Sequence, residues 1–302
     1  MIFLSVSLYA LAKEHGARVA KQIFREQLEA PGADSLPCVR VIARLREAGD
    51  LKLFPDFGGS AVAKMRSRAA AAAHESGCDV WISCDDDVEA PWDVLRDLIE
   101  AVAGAEPAVC LAPYWGRGAD VVMIAVEPNA VSAVRGLPSG GRTVKCLAGG
   151  FGLVAINRAA LEQAIAAHPE LLYLDDDGKE KCALFSEVIA RRRWWGEDLS
   201  FFRRLPPATR VECLIAGATS HDGQVLDVAH IATLPCMHLP DWGPAPVPEV
   251  VHVEATPATP PNAGDLSMLP VPADVVAAAK SLPPPASDED RHPFGPEPPT
   301  GR

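Results

Sequence analysis

Three consecutive carboxylates, Asp85-Asp86-Asp87, follow the apolar run Val80–Cys84. Like charges side by side repel, so such a run is costly unless water or a cation screens it. The cation suited to carboxylate oxygen is a hard divalent ion, Mg²⁺ or Mn²⁺, which usually arrives with substrate phosphates. A solvated turn at a strand end is the other reading the cluster by itself allows. Two further groups of reactive side chains lie downstream. Gly196-Glu197-Asp198 opens a helical stretch that carries Phe201, Phe202, Arg203 and Arg204, and His221-Asp222-Gly223 closes the last apolar run. An acidic pair at a helix start is what the helix dipole favours, so capping is its plainest role. A single histidine is more often a satisfied side chain than a ligand.

The elements that must position these groups read as an α/β chain. Ile2–Leu8 predicts a first strand, and Lys13–Glu29 a helix with Val19, Ile23 and Leu28 on one face. Cys38–Leu45 reads as a second strand and Pro55-Asp56-Phe57-Gly58-Gly59 as a loop. Ser60 is placed to cap an Ala-rich helix that runs to Glu75, with Gly77 as its C-terminal glycine. Val80–Cys84 then predicts a strand, Trp92–Val102 a helix and Ala108–Ala112 a strand. This alternation implies a sheet with parallel order, and such sheets bind ligands at the carboxyl ends of their strands. Asp85–Asp87 would stand on that edge.

Beyond Gly118 the pattern loosens. Val121–Val126, Arg142–Leu147, Leu153–Asn157 and Val211–Ala216 read as strands, Gly149–Gly152 as a glycine turn and Ala159–His168 as a helix. A second acidic run, Asp175-Asp176-Asp177, precedes Gly178-Lys179 and reads as a hydrophilic turn. Gly150-Phe151-Gly152 fits a loose dinucleotide-binding pattern, but a strand-like run follows where that motif needs a helix, which sets it aside. Trp194 and Trp195 read as core residues, with stacking on a sugar ring as the alternative, and Arg191–Arg193 as a solvated face.

Composition narrows the classes. The 302 residues are 48% hydrophobic and 23% charged, ordinary for a soluble globular chain. A net charge of −12 argues against a nucleic-acid partner or an anionic membrane bound by general electrostatics. No apolar run approaches the ~18 residues of a membrane span, and Met1–Ala10 lacks the basic flank of a signal peptide. The cysteines, at 38, 78, 84, 110, 146, 182, 213 and 236, show no CxxC spacing, which points to a reducing cytoplasm. Fifteen of the 28 prolines and nine acids fall in 241–302, a composition that predicts a disordered tail.

Taken in order, the three chemical groups resemble the GT-A glycosyltransferases, in particular compact bacterial and phage-type members. There a strand ends in Asp-x-Asp, a Gly-Glu-Asp-x-x-Phe-x-x-Arg segment follows, and a late His-x-Gly completes the site. The counterparts are Asp85-Asp86-Asp87, the run Gly196–Arg204, and His221-Asp222-Gly223. Gly149-Gly150-Phe151-Gly152 also resembles the family's glycine turn. Arg66 stands at the distance of the family's Arg-Asn pair but is followed by Ser67. The similarity runs patchily from Ile2 to Gly223.

The resemblance implies an α/β fold: a GT-A-like Rossmann-type mixed sheet flanked by helices, in one globular domain over 1–240. Its donor half would be about 1–118 and its acceptor half about 119–240, with the tail over 241–302 outside it. It implies a nucleotide-sugar donor (UDP or GDP), a hydroxyl acceptor on a glycan, lipid or protein, and Mn²⁺ or Mg²⁺ as cofactor. Asp87 and His221 would hold the metal, with Asp85 beside them or facing the donor's ribose or sugar. Asp86 would support, and Arg66 would contact the nucleotide or a phosphate, a solvated helix face being its plainer reading. Asp198, or its neighbour Glu197, would be the base for the acceptor hydroxyl. A metal-dependent nucleotidyltransferase is the nearest alternative, but Tyr9-Ala10-Leu11-Ala12-Lys13 is not the glycine-rich basic loop such enzymes place after the first strand. A haloacid-dehalogenase-type phosphatase would need Thr or Val where Glu89 stands. A catalytically inactive GT-A-like binding module is the reading from outside enzymology.

Overall fold

The computed structural model describes residues 1–32, 34–57, 61–116, 121–126, 134–190, 192–215, 218–221 and 224–227, with 237 and 239. The Pro-rich stretch 241–302 and the tail expectation lie outside them. In chain order the elements are β1 (Ile2–Ser7), α1 (Tyr9–His15), α2 (Ala17–Glu29), α3 (Pro37–Ala48), β2 (Leu51–Asp56), α4 (Val62–Ser76), β3 (Val80–Asp85), β4 (Val88–Glu89) and α5 (Trp92–Val102). There follow β5 (Ala108–Leu111), β6 (Ile124–Val126), β7 (Val134–Gly136), β8 (Arg142–Gly149), β9 (Leu153–Asn157) and α6 (Arg158–Ala167). The last are β10 (Leu172–Leu174), β11 (Glu180–Cys182), β12 (Val188–Ala190), β13 (Arg193–Trp195), α7 (Glu197–Arg204), β14 (Arg210–Leu214), β15 (Ala218–His221) and β16 (Gln224–Asp227).

Among the described residues nine strands form one mixed sheet, ordered β2-β1-β3-β9-β5-β14-β8-β6, with β7 also on β8. Strands β2, β1 and β3 run parallel, as do β5 and β14, while β9 lies antiparallel between β3 and β5. The mixed α/β sheet flanked by helices is thus the architecture the sequence predicts. Strand alternation sends neighbouring residues to opposite faces. Phe3, Trp81, Val154 and Ile156 pack on one side with α4 and α6, and Leu4, Ile82 and Ala155 on the other with α3 and α5. Both faces are covered, so the central strands read as continuous apolar runs. Among the described residues no helix is long and apolar enough to cross a membrane.

Three expectations shift. Cys38–Leu45 lies in a helix, α3, not a strand. Its buried residues Cys38, Val39, Val41, Ile42 and Leu45 are spaced for a helix, and Pro37 sits in the first turn, where its missing N–H costs nothing. The strand falls instead at Leu51–Asp56, so Pro55 and Asp56 belong to β2 and not to a loop. Strand β2 is a sheet edge, where a proline is tolerated. The helix over Lys13–Glu29 is two helices, parted at Gly16 with φ of 77°; the buried face of α2 is Ala20 and Phe24, and Val19 is exposed. Ser60 lies outside the described residues, and Ala61 takes the N-cap of α4, whereas Gly77 does end that helix in the left-handed region. The second acidic run forms the turn of the β10–β11 hairpin. There Lys181 pairs with Asp175 and Asp177, and Lys64 with Asp176.

One buried amide ties the middle of the sheet together. Asn157 Oδ1 accepts from Ala160 N, capping α6, and from Ala108 N at the start of β5. Its Nδ2 donates to the carbonyls of Val102, Gly104 and Glu106 where α5 gives way to β5. Asn157→Ala therefore strips a cap and leaves buried polar groups unpaired. It is expected to cost about 3 kcal/mol in urea unfolding. Asn157→Asp is expected to fail as a rescue, because a carboxylate cannot donate to three carbonyls; full rescue would show that only the cap matters.

Candidate active site

The carboxyl ends of the parallel strands meet the glycine turn before β9. Asp85, the last residue of β3, donates its N–H to Gly152 O at 2.8 Å. Opposite stands the start of α7, whose first turn carries Glu197 and Asp198. Helix α7 is locked from below: Phe201 stacks on Phe185 at 4.8 Å and meets Phe151 edge-on at 5.1 Å. Arg204 donates to the carbonyls of Leu184 and Ser186, and Arg203 lies over the buried Trp195 ring at 4.9 Å. The aromatic and basic residues of the Gly196–Arg204 run thus anchor the helix, and its acids face the sheet edge. Trp195 is core, whereas Trp194 is 67% exposed.

Arg66, on α4, joins the two acid groups. Its Nη2 donates to both oxygens of Asp85, at 3.2 and 3.1 Å, and its Nη1 to Glu197 Oε1 at 3.1 Å and to Asp198 Oδ1. The residue is only 4% exposed, which excludes a solvated helix face. Its Nε has no hydrogen-bond partner among the described residues, and its guanidinium lies 5.4 Å from the Phe151 ring centroid. Burial works against its charge, but Asp85 and Glu197 outweigh burial and hold its pKa above the ordinary value. For Asp85 burial dominates and raises the pKa, with Arg66 pulling back. The departure at the next position also has a cause: Ser67 is buried and its Oγ accepts from Phe185 N, so it holds the aromatic floor in place.

The remaining acids divide. Asp86 turns toward α1, where its Oδ2 accepts from Leu11 N at 3.0 Å and satisfies a helix-start N–H that Leu8, the N-cap, leaves open. Asp87 lies 3.5 Å from His221 Nε2. His221 reaches this place because β15 pairs with β4, opposite Val88. Its ring packs 4.7 Å from that of Tyr114. Arg66, Asp85, Asp86, Glu197, Asp198 and His221 all border one cleft of about 380 Å³.

Tyr114 borders the cleft too, and the sequence reading does not single it out. Its hydroxyl accepts from Gly152 N at 3.2 Å, and a Cβ at Gly150 would stand 2.0 Å from that oxygen. The glycine turn is therefore glycine because Tyr114 occupies the space. The signal was Pro113-Tyr114-Trp115-Gly116, which directly follows the buried strand β5 at the same sheet edge.

The donor set can be tested against a divalent ion. The cleft holds carboxylates from Asp85, Asp86, Glu197 and Asp198 with one guanidinium against them, and Asp87 adds a further acid behind His221. Among the described residues no three His, Cys, Asp or Glu side chains already stand as a metal-binding group. The structure brings Asp87 and His221 together and turns Asp85 to Arg66. A carboxylate and an imidazole in an acid-rich cleft fit Mg²⁺ or Mn²⁺, which need only one or two protein ligands when phosphates and water complete the shell.

No protein-family model matches the chain, and no curated protein matches it. Solved structures with partial likeness include A197 from STIV, at 14% identity and TM-score 0.39 over 80% of this chain and 97% of that one. GalNAc-T7, crystallised with UDP, GalNAc and Mn²⁺, matches at 12% identity and TM-score 0.38 over 83% of this chain. The chain spans 46% of GalNAc-T7. HddC from Yersinia pseudotuberculosis matches at 8% identity and TM-score 0.32, over 76% of this chain and 94% of that one. Likeness at this level leaves the assignment to the site's own chemistry.

Two outcomes follow from the charges. Arg66→Ala leaves three acids, each about a quarter exposed, uncompensated and is expected to cost about 2–3 kcal/mol in urea unfolding with EDTA present; a loss below about 1 kcal/mol would mean water relieves them. Asp86 is raised from 3.8 to about 6, first by burial and then by Asp87 and Asp85, with the Leu11 N–H opposing. A raised carboxyl binds its proton more tightly in the fold, so its contribution is favourable near pH 4 and is lost as the pH climbs through about 6. In EDTA, Asp86→Asn is expected to exceed the parent in stability at neutral pH by on the order of 2 kcal/mol and to match it near pH 4. Equal stability at both would remove the strain assigned to Asp86.

Proposed function

We propose that the chain is a metal-dependent glycosyltransferase that moves a sugar from a UDP- or GDP-sugar to a hydroxyl acceptor. The observation that carries this reading is the convergence of Asp85, Glu197, Asp198 and His221 around a buried Arg66 in one cleft at the carboxyl edge of the sheet. An excess of carboxylates repels a diphosphate, so a nucleotide-sugar enters this cleft only with a divalent cation. Asp87 and His221 would hold that ion, which supplies Lewis-acid stabilisation of the leaving diphosphate.

The chain's own residues then have distinct tasks. Asp198 has both oxygens engaged, Oδ1 by Arg66 and Oδ2 by Phe151 N at 3.0 Å, so its orientation is set. In this reading it takes the proton from the acceptor hydroxyl as that oxygen bonds to the anomeric carbon and the diphosphate departs. Glu197 orients the acceptor beside it. Asp85, aligned by Arg66, faces the donor's ribose or sugar. Arg66, which borders the same cleft, would contact the nucleotide or a phosphate of the donor. A nucleotidyltransferase would need a glycine-rich basic loop after β1, and that place is the helix α1.

The test is a screen of nucleotide sugars for hydrolysis or transfer with Mn²⁺, with Mg²⁺ and with EDTA. Turnover of a UDP- or GDP-sugar only in the presence of metal is expected. Asp87→Ala is expected to abolish metal-dependent donor binding in calorimetry, and unchanged binding in that variant would overturn the assignment.

A further inference from the structure

We infer that Glu89, held between Arg40 and Arg44, is a positioning residue that sets His221 against Asp87; its consequence for metal affinity rests on the reading given above. Strand β4 is two residues long, and among the described residues it pairs with β15 through Ser220 opposite Glu89 and His221 opposite Val88. Burial of Val88 and Ala90 fixes which face His221 takes, but a ladder this short leaves the fine alignment of the two strands loose. The exposed side of β4 needs a hold of its own.

Glu89 supplies that hold. Its Oε2 accepts from Arg40 Nη2 at 2.6 Å and its Oε1 from Arg44 Nη2 at 2.9 Å. Arg44 Nη1 also donates to Ala90 O at 2.6 Å, so side chain and backbone of the segment are both gripped. The two arginines stand four residues apart on α3, on one face of that helix. The opposite face of α3 is packed into the core through Val41, Ile42 and Leu45. The clamp therefore ties β4 to a helix anchored in the core. Through β4 it fixes the strand that carries His221, 3.5 Å from Asp87.

The second support of β15 comes from the other side. Thr219 Oγ1 donates to Pro113 O at 2.5 Å, and Tyr114 packs on the His221 ring. Without the clamp His221 keeps its neighbourhood, and what loosens is its alignment with Asp87. Glu89 and its partners are each about a quarter to a third exposed, at 25%, 29% and 31%. Solvent screens such pairs, so their worth in overall stability is small and their effect is geometric. The same residue explains why the position two beyond Asp87 is an acid.

The test uses the full chain with Glu89→Ala, and Glu162→Ala, which removes an exposed ion pair on α6, as control. In metal-free protein the His221 ring resonances are expected to shift in the Glu89 variant and to stay in place in the control, with little change in the urea midpoint of either. Mn²⁺ affinity, read from the electron paramagnetic resonance of free Mn²⁺, is expected to fall about tenfold in Glu89→Ala. It should fall no further when Glu89→Ala is added to His221→Ala, since a residue acting through His221 has nothing left to position. An unmoved His221 ring, or an equal loss of affinity in the His221→Ala background, overturns the inference. A parent protein that binds no Mn²⁺ overturns the metal reading alone, because the ring resonances still report on the clamp.

Discussion

A guanidinium buried among carboxylates from distant parts of the chain holds this site together. Arg66 comes from α4, Asp85 from the end of β3, and Glu197 and Asp198 from the start of α7. Taking such ions out of water costs several kcal/mol each unless every partner is engaged. The planar fork of arginine can engage acids on two sides at once, which a lysine ammonium cannot do with the same geometry. The Phe151 ring beside it, backed by Phe185 and Phe201, lowers the local dielectric and strengthens each of these contacts. Arg66 thereby makes the helix before the acidic strand part of the site.

The same interaction leaves an imbalance. One guanidinium does not neutralise the acids around the cleft, and Asp86 is raised to about 6, chiefly by its own burial and in smaller part by Asp87 and Asp85. Natural folds keep such unrelieved charge where function needs it. An acidic cleft with a histidine beside one acid is short of positive charge, and a divalent ion arriving with phosphates would supply it. The glycine turn adds a second constraint, since Tyr114 fills the space that side chains at Gly150 and Gly152 would need. The turn between β8 and β9 also presents Phe151 N to Asp198 Oδ2.

Much of the fold was legible because its signals are local. The apolar run ending at Asp85, the Ala-rich helix stopped by Gly77 and the start of α7 at Gly196-Glu197-Asp198 all follow from spacing and end-residue chemistry. Cys38–Leu45 was not legible in the same way. Val39, Arg40 and Val41 alternate like a strand over a few residues, and only the longer spacing out to Leu45 decides for a helix. Strand β2 was hidden because Pro55 looks like a breaker, yet at a sheet edge the missing N–H has no partner to lose.

The sequence by itself determined which acids and which histidine would stand together, and on which edge of a sheet. Acids at a strand end, acids at a helix start and a late histidine have spacings that local structure translates directly into position. Tertiary structure alone decided what each of them touches. It buried Arg66 against three of the acids, sent Asp86 to the start of α1, and set His221 beside Asp87 through a two-residue strand clamped from α3. None of these has a sequence period, because each is a contact between segments tens of residues or more apart. Burial and charge compensation select such contacts only once the whole sheet has formed.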